Sequence, residues 1–278
     1  MNASMITAMS SMNALQQRLD VFADNIANMN TAGYKRKESS FEDLLTNMKQ
    51  QPEEFRLPGR LTPLGYNQSW GAKMTEIVTD FTPGAMKETG VSTDLAIEGN
   101  ALFEVMADAA GNRAYTRNGA FQLTLDENGV TILTTENGMP VVANILDVDG
   151  NVTEGRVVLP EGSSLQVGED GTLSAVSAQE TTVLGSLKLV EIMRPDALSA
   201  VADNLFAVSA GVNAEEVLRQ VPQGEEGFAV RQGSLEQSNV DLTQEMTELI
   251  NVQRAYQLAA RALTSSESMM GMTNNLRA

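Results

Sequence analysis

Residues 19–36 read "LDVFADNIANMNTAGYKR". Leu19, Phe22, Ile26 and Met29 step by three, four and three residues, an apolar stripe with the period of a helix. Asn25, Asn28 and Asn30 interrupt it, although the Asn amide competes for backbone hydrogen bonds and weakens a helix. Towards the N-terminus, Met5, Ala8, Met12 and Leu15 continue the stripe as a heptad seam. The spacing predicts a helix from about residue 3 to about residue 31, with Gly33 supplying a left-handed cap.

The C-terminus repeats the pattern. Leu242, Met246, Leu249, Tyr256, Ala260, Leu263 and Met270 fall on one seam, with Gln253 and Glu267 as its polar exceptions. Asp241, three residues before Gln244, resembles a capping box, so a second helix is expected from about 242 to 274. The middle of the chain differs. Residues 94–235 hold short β-rich runs such as "DLAIEG", "ALFEVMA" and "GSLKLVEIM". Asn128-Gly129, Asn137-Gly138, Asp149-Gly150 and Asp170-Gly171 lie between such runs and suit two-residue hairpin turns with positive φ at both positions. Residues 35–93, with Pro52, Pro58, Pro63 and Pro83, read as an extended connector. A short helix is expected over 38–50 and a strand near "MTEIVTDF". The expected fold class is α+β. Its terminal helices, in a discontinuous domain of residues 1–34 and 236–278, pair as a coiled-coil-like domain, and an antiparallel β-rich domain, 94–235, is inserted between them.

Charge divides the chain in the same way. Of a formal net charge of -17, residues 1–33 and 241–278 carry -1 each and the rest lies between them. Nearly neutral ends can pack together, whereas an acidic middle stays in solution. Such a surface disfavours nucleic acid as a partner. With no Cys and no His, disulfides, Ser-His-Asp and Cys-His constellations and the usual zinc sites are excluded. No catalytic, cofactor-binding or metal-binding residue is predicted. The stretch "DVDGNVTE" at 147–154 has a calcium-loop flavour, but Gly150 comes too early and a turn is preferred. The opening residues lack the basic and apolar regions of a cleavable signal, and no run is long enough to span a membrane.

A single amphipathic helix is marginal in water. Two facing helices would still leave Ile6, Met9, Val21, Ile250, Val252 and Leu258 outward, so further copies of the chain are expected to cover them. An Asn at a helix interface lowers stability but fixes register. The self-assembly residues are therefore predicted as Met5, Met12, Leu15, Leu19, Phe22, Asn25, Ile26, Asn28, Met29, Leu242, Met246, Leu249, Tyr256, Ala260, Leu263 and Met270.

Three stretches carry a family resemblance. "LDVFADNIANMNTAGYKR" resembles the N-terminal signature of the bacterial flagellar rod and hook proteins. "DLAIEGNALFEV" with "AYTRNGAFQL" resembles their central motif, and "QGSLEQSNVDLTQEMTELINVQRAYQLAARAL" their C-terminal signature. The length and "FEDLL" at 41–45 look most like the distal-rod members. The resemblance implies a structural subunit of the flagellar basal body, exported beyond the cytoplasmic membrane by the flagellar type III export apparatus. Its implied partners are copies of itself in a helical polymer, other rod subunits and the hook. It implies that the terminal helices line a channel and transmit torque. A hook or proximal rod subunit is the alternative within the family. An enzyme with a carboxylate site and an adhesin-like module are the alternatives outside it.

Overall fold

The computed structural model describes residues 2–43, 47–50, 65–68, 71–108, 111–126, 129–146, 152–160, 162–177, 180–202, 204–209, 211–225 and 227–277. The chain is α+β, with a helix at each end and a β-rich middle. It divides into two compact units. One comprises residues 1–26, 37–78 and 241–278; the other comprises 27–36 and 79–240.

The first unit holds the N-terminal helix, Asn2–Ala27, and the C-terminal helix, Leu242–Arg277. Asp241 starts the latter as a cap, its Oδ1 accepting from the amides of Thr243 at 2.8 Å and Gln244 at 3.3 Å. Between the helices in sequence, Lys37–Asp43 pairs with Ala72–Thr79, and Asn47–Gln50 pairs antiparallel with Gly65–Gln68. The helix expected over 38–50 is thus replaced by strands wherever that stretch is described; residues 44–46 lie outside the described residues. Ser39 and Ser40 are weak helix formers. The partner strand is rich in the β-branched residues Thr75, Ile77, Val78 and Thr79, and pairing with it decides the conformation.

The second unit is built from antiparallel strands. Three sheets of three, five and six strands are accompanied by two separate pairs, Ala229–Gln232 with Leu95–Glu98 and Ser234–Glu236 with Met86–Glu88. Strand Ala101–Met106 lies inside the six-stranded sheet and shows the two-residue period. Ala101, Phe103 and Val105 enter the main core, with Leu95, Ile97, Phe121 and Leu133. Leu102 enters a second core on the other side, with Phe81, Val190 and Phe206. Edge-to-face ring pairs anchor both, Phe103–Phe121 at 5.1 Å and Phe81–Phe206 at 5.0 Å between centroids.

Two turns differ from the two-residue hairpins expected, those at Asn137-Gly138 and Asp170-Gly171; Asn128 and Asp149-Gly150, where the same turn was expected, lie outside the described residues. At residues 135–139 the Gly138 amide donates to the Thr135 carbonyl and the Thr135 amide to the Met139 carbonyl, each at 2.9 Å. Gly138 has φ 79°, while Asn137 is not among the positive-φ residues. This is a type I turn closed by a glycine bulge. Residues 168–172 repeat it, with Gly171 at φ 79°. An Asn or Asp in the right-handed region avoids the strain that a turn with two left-handed residues would impose.

Candidate functional site

The N-terminal helix ends at Ala27, four residues short of the expectation. Asn28 opens a turn, in which the Thr31 amide donates to the Asn28 carbonyl at 3.1 Å and the Thr31 hydroxyl to Asn28 Oδ1 at 3.2 Å. Gly33 therefore does not cap the helix. It has φ 69°, and a Cβ there would stand 2.5 Å from the Asn118 backbone nitrogen, so it is a point of close backbone approach.

Asn25 is fully buried and its amide is used inside the chain. Its Nδ2 donates to the Lys37 carbonyl at 3.0 Å and to Glu245 Oε2 at 3.1 Å. Its Oδ1 accepts from the Lys37 amide at 3.0 Å. The side chain thus pairs with both backbone groups of Lys37 as a neighbouring strand would, and holds the start of Lys37–Asp43 extended. Glu245, on the C-terminal helix, is also fully buried. Arg18 reaches Glu248 on that helix at 3.4 Å, and its guanidinium lies 5.3 Å from the Phe22 ring centroid and 5.4 Å from that of Phe41.

The predicted seam residues are placed unequally. Phe22 and Asn25 are buried, whereas Met5, Met12, Leu15, Leu19, Ile26, Asn28 and Met29 are half-buried. On the C-terminal helix Leu249, Tyr256, Ala260, Leu263 and Met270 are half-buried, and Leu242 and Met246 are exposed. Val21 and Val252, expected to face outward, are buried. The inward stripe of the C-terminal helix passes through Glu245, Leu249 and Val252 rather than Met246 and Gln253. Glu245 and Val252 are the buried residues of that helix among those described, and its opposite side leaves Met246 50% exposed and Leu258 64%, with Ile250, Met269 and Met272 also in water. Ile6 and Met9 are exposed on the N-terminal helix.

Within the β-rich unit, Lys35, Arg117 and Glu236 form a buried charge cluster that periodicity did not reveal. Lys35 Nζ donates to Glu236 Oε1 and to the Thr82 carbonyl, each at 2.7 Å. The Gly84 amide donates to the same Oε1 at 2.8 Å. Arg117 Nε donates to Glu236 Oε2, and its remaining nitrogens to the carbonyls of Ala101, Ile97 and Gly99. All three charged side chains are almost wholly shielded from water. Burial drives the Lys35 ammonium below its ordinary pKa against the pull of Glu236, with the Arg117 charge adding to that direction. Burial pushes the Glu236 carboxyl up, but two cations outweigh it and hold the group below its ordinary value. The signal that could have found these residues is a charge set inside strand-like runs, Arg117 in "AYTRNGAF" and Glu236 in "GSLEQ".

Family models match three stretches. Residues 5–35 match "Flagella basal body rod protein", 96–175 "Flagellar hook protein FlgE/F/G D1 domain", and 231–276 "Flagellar basal body rod FlgEFG protein C-terminal". The flagellar basal-body rod protein FlgG of Borreliella burgdorferi is 33% identical over 98% of this chain and 97% of its own length. The chain belongs to the flagellar basal-body rod family. It is a structural subunit of the flagellar rod in the basal body, most like the distal rod protein. Two Bacillus subtilis proteins are similar to it over 99% of the chain at 32% identity. They are the flagellar hook-basal body complex protein FlhP, matched over 99% of its length, and the rod protein FlgG, matched over 98%. Each matched stretch of this rod-family chain contributes one member of the buried cluster: Lys35, Arg117 and Glu236.

Proposed function

We propose that this rod subunit polymerises helically through its terminal helices, which pair as a coiled coil with those of neighbouring copies, line the central channel and pass motor torque towards the hook. The observation that carries this reading is the uncovered apolar side of the C-terminal helix, from Met246 through Ile250 and Leu258 to Met269 and Met272. Apolar area of that extent on one side of a helix is stabilised by burial against other helices, at about 1.5–3 kcal/mol for each large side chain fully covered. The self-assembly set read from the sequence, Met5, Met12, Leu15, Leu19, Phe22, Ile26, Met29, Leu242, Met246, Leu249, Tyr256, Ala260, Leu263 and Met270, is joined by the exposed Ile250, Leu258, Met269 and Met272, and within it Phe22 acts through the fold, being buried in the chain itself. Asn25 and Asn28 contribute by shaping the helix and its exit. Export through the flagellar type III apparatus and docking to other rod subunits and the hook follow from the same reading. No enzymatic role is proposed. A cavity of about 470 Å³, lined by residues such as Val152, Val183 and Pro222, has no titratable side chain in its wall among the described residues.

Met246→Asp tests the reading. Met246 is exposed, so the purified chain should keep its stability to within about 0.5 kcal/mol by chemical denaturation. In the polymer the carboxylate would be buried without a partner, so cells carrying the variant should lack rods beyond this subunit and should not swim. Normal swimming would overturn the proposed surface. The similarity to FlhP, equal in identity to that of the Bacillus FlgG, favours a second reading, a hook-basal-body component of the same family outside the distal rod. Basal bodies from a deletion strain separate the two, since loss of a distal rod subunit leaves a truncated rod.

A further inference from the structure

The chain leaves the β-rich unit after residue 36, re-enters it at residue 79 and leaves it again after residue 240. The three passes next to these points, 33–36, 80–85 and 236–239, are bonded to one another within the unit. The Gly33 amide donates to the Glu236 carbonyl, the Asp80 amide to the Arg36 carbonyl, and the Gln237 amide to the Ala85 carbonyl, each at 2.8 Å. Asn239 spans the set: its Oδ1 accepts from the Arg36 amide at 2.7 Å, and its Nδ2 donates to the Asp80 carbonyl at 2.9 Å. Close packing accompanies the bonds, since a Cβ on Gly84 would lie 2.0 Å from the Gln237 carbonyl oxygen.

The Glu236 carboxylate sits where these passes meet. The first supplies Lys35, the second the Gly84 amide, the third carries Glu236 itself, and Arg117 ties the group to the carbonyls of 97–101 in the core sheets. Two cations share one carboxylate, and the surplus positive charge is met by the carbonyls of Thr82, Ile97, Gly99 and Ala101. Lifting any single pass therefore removes a partner from a buried charge, which is far costlier than breaking the backbone bonds of that pass. Simultaneous opening hydrates all the groups together.

We propose that the Lys35–Glu236–Arg117 cluster is a clamp that makes the three chain passes beside it open and close as one unit, so that load entering along one pass is shared by the other two. The coupled opening stands on the geometry alone, whereas the load sharing rests on the rod reading above.

Native-state hydrogen exchange on the full-length chain tests the coupling. With rising sub-denaturing urea, the amides of Gly33, Asp80 and Gln237 should converge on one opening reaction. Three separate openings would overturn the clamp. In Lys35→Met, which keeps one cation and one carboxylate, all three amides should exchange at least tenfold faster by a common factor. That is expected although Lys35 touches neither Asp80 nor Gln237 in the bonds above. Acceleration confined to Gly33, or no acceleration, would also overturn it. If the variant fails to fold, the urea series on the unaltered chain decides. For the load-sharing half, swimming speed of the Lys35→Met strain should fall more steeply with medium viscosity than that of its parent. Parallel curves would overturn load sharing while leaving the rod reading intact, and absence of the chain from basal bodies would overturn the rod reading alone.

Discussion

The β-rich unit buries charge and satisfies it; the C-terminal helix leaves apolar side chains in water. In the former, a carboxylate, a guanidinium and an ammonium are almost fully shielded, yet each meets donors or acceptors supplied by the same chain. In the latter, Leu258 and Met246 are left 64% and 50% exposed. The β-rich unit also leaves Leu125, Val152 and Val201 in water, but it has two apolar cores of its own, whereas the C-terminal helix has only Glu245 and Val252 buried among its described residues and depends on cover from elsewhere. The difference also says where a substitution should be felt: inside the β-rich unit it alters folding, and on the outer helix side, under the proposed function, it alters association.

The largest effects concern whether the β-rich unit is self-sufficient. A chain lacking residues 1–26 and 241–278 should be soluble and melt cooperatively, because it keeps Lys35 and Glu236. Removing residues 1–36 instead takes away Lys35, the Gly33 amide and the buried Tyr34. Breaking a buried pair costs about 3–5 kcal/mol, so this second truncation should melt far lower or not fold. Equal melting curves by circular dichroism would remove the cluster from any part in completing the unit.

Asn25→Leu sharpens the comparison from the helical side. A leucine favours the helix and adds apolar area, which taken alone predicts stronger association. The structure predicts the reverse, because the Lys37 amide and carbonyl and the Glu245 carboxylate lose the partner that Asn25 provides. A shielded group that loses such a partner costs about 1–3 kcal/mol, and the added apolar area of leucine offsets part of the sum. Chemical denaturation of the full chain should show a loss of roughly 2–4 kcal/mol. A gain would mean that the amide acts between copies, as the periodicity suggested.

The smallest effect is a pH dependence. The folded-state pKa of Glu236 lies below its ordinary value of 4.5, so above pH 4.5 it is ionised in both states and its stabilising contribution is complete. As the pH falls below 4.5 the unfolded chain takes up the proton first, and stability declines until the folded-state pKa is passed. Glu236→Gln should flatten the acid limb of the melting temperature curve. An unchanged slope would show that other carboxylates set that limb.

Helical ends, a β-rich middle and membership of the rod family were legible in the sequence, because each rests on short-range information. A seam repeating every three or four residues can only be buried as a helix. The run "ALFEVM" divides its side chains between two cores because successive residues of a strand point to opposite faces. The motifs are contiguous words. What tertiary structure alone decided depends on residues far apart in the chain. Residues 37–43 became a strand because a partner from 72–79 and the amide of Asn25 outweighed local preference. The inward stripe of the C-terminal helix runs through Val252 rather than Gln253 because Glu245 answers Asn25 across 220 positions. The charge cluster joins positions 35, 117 and 236, each an ordinary polar letter in its own stretch. Local patterns decide which segments can bury a face. Only the folded chain decides which buried polar group finds its partner, because that pairing is set by three-dimensional proximity, which local periodicity does not encode.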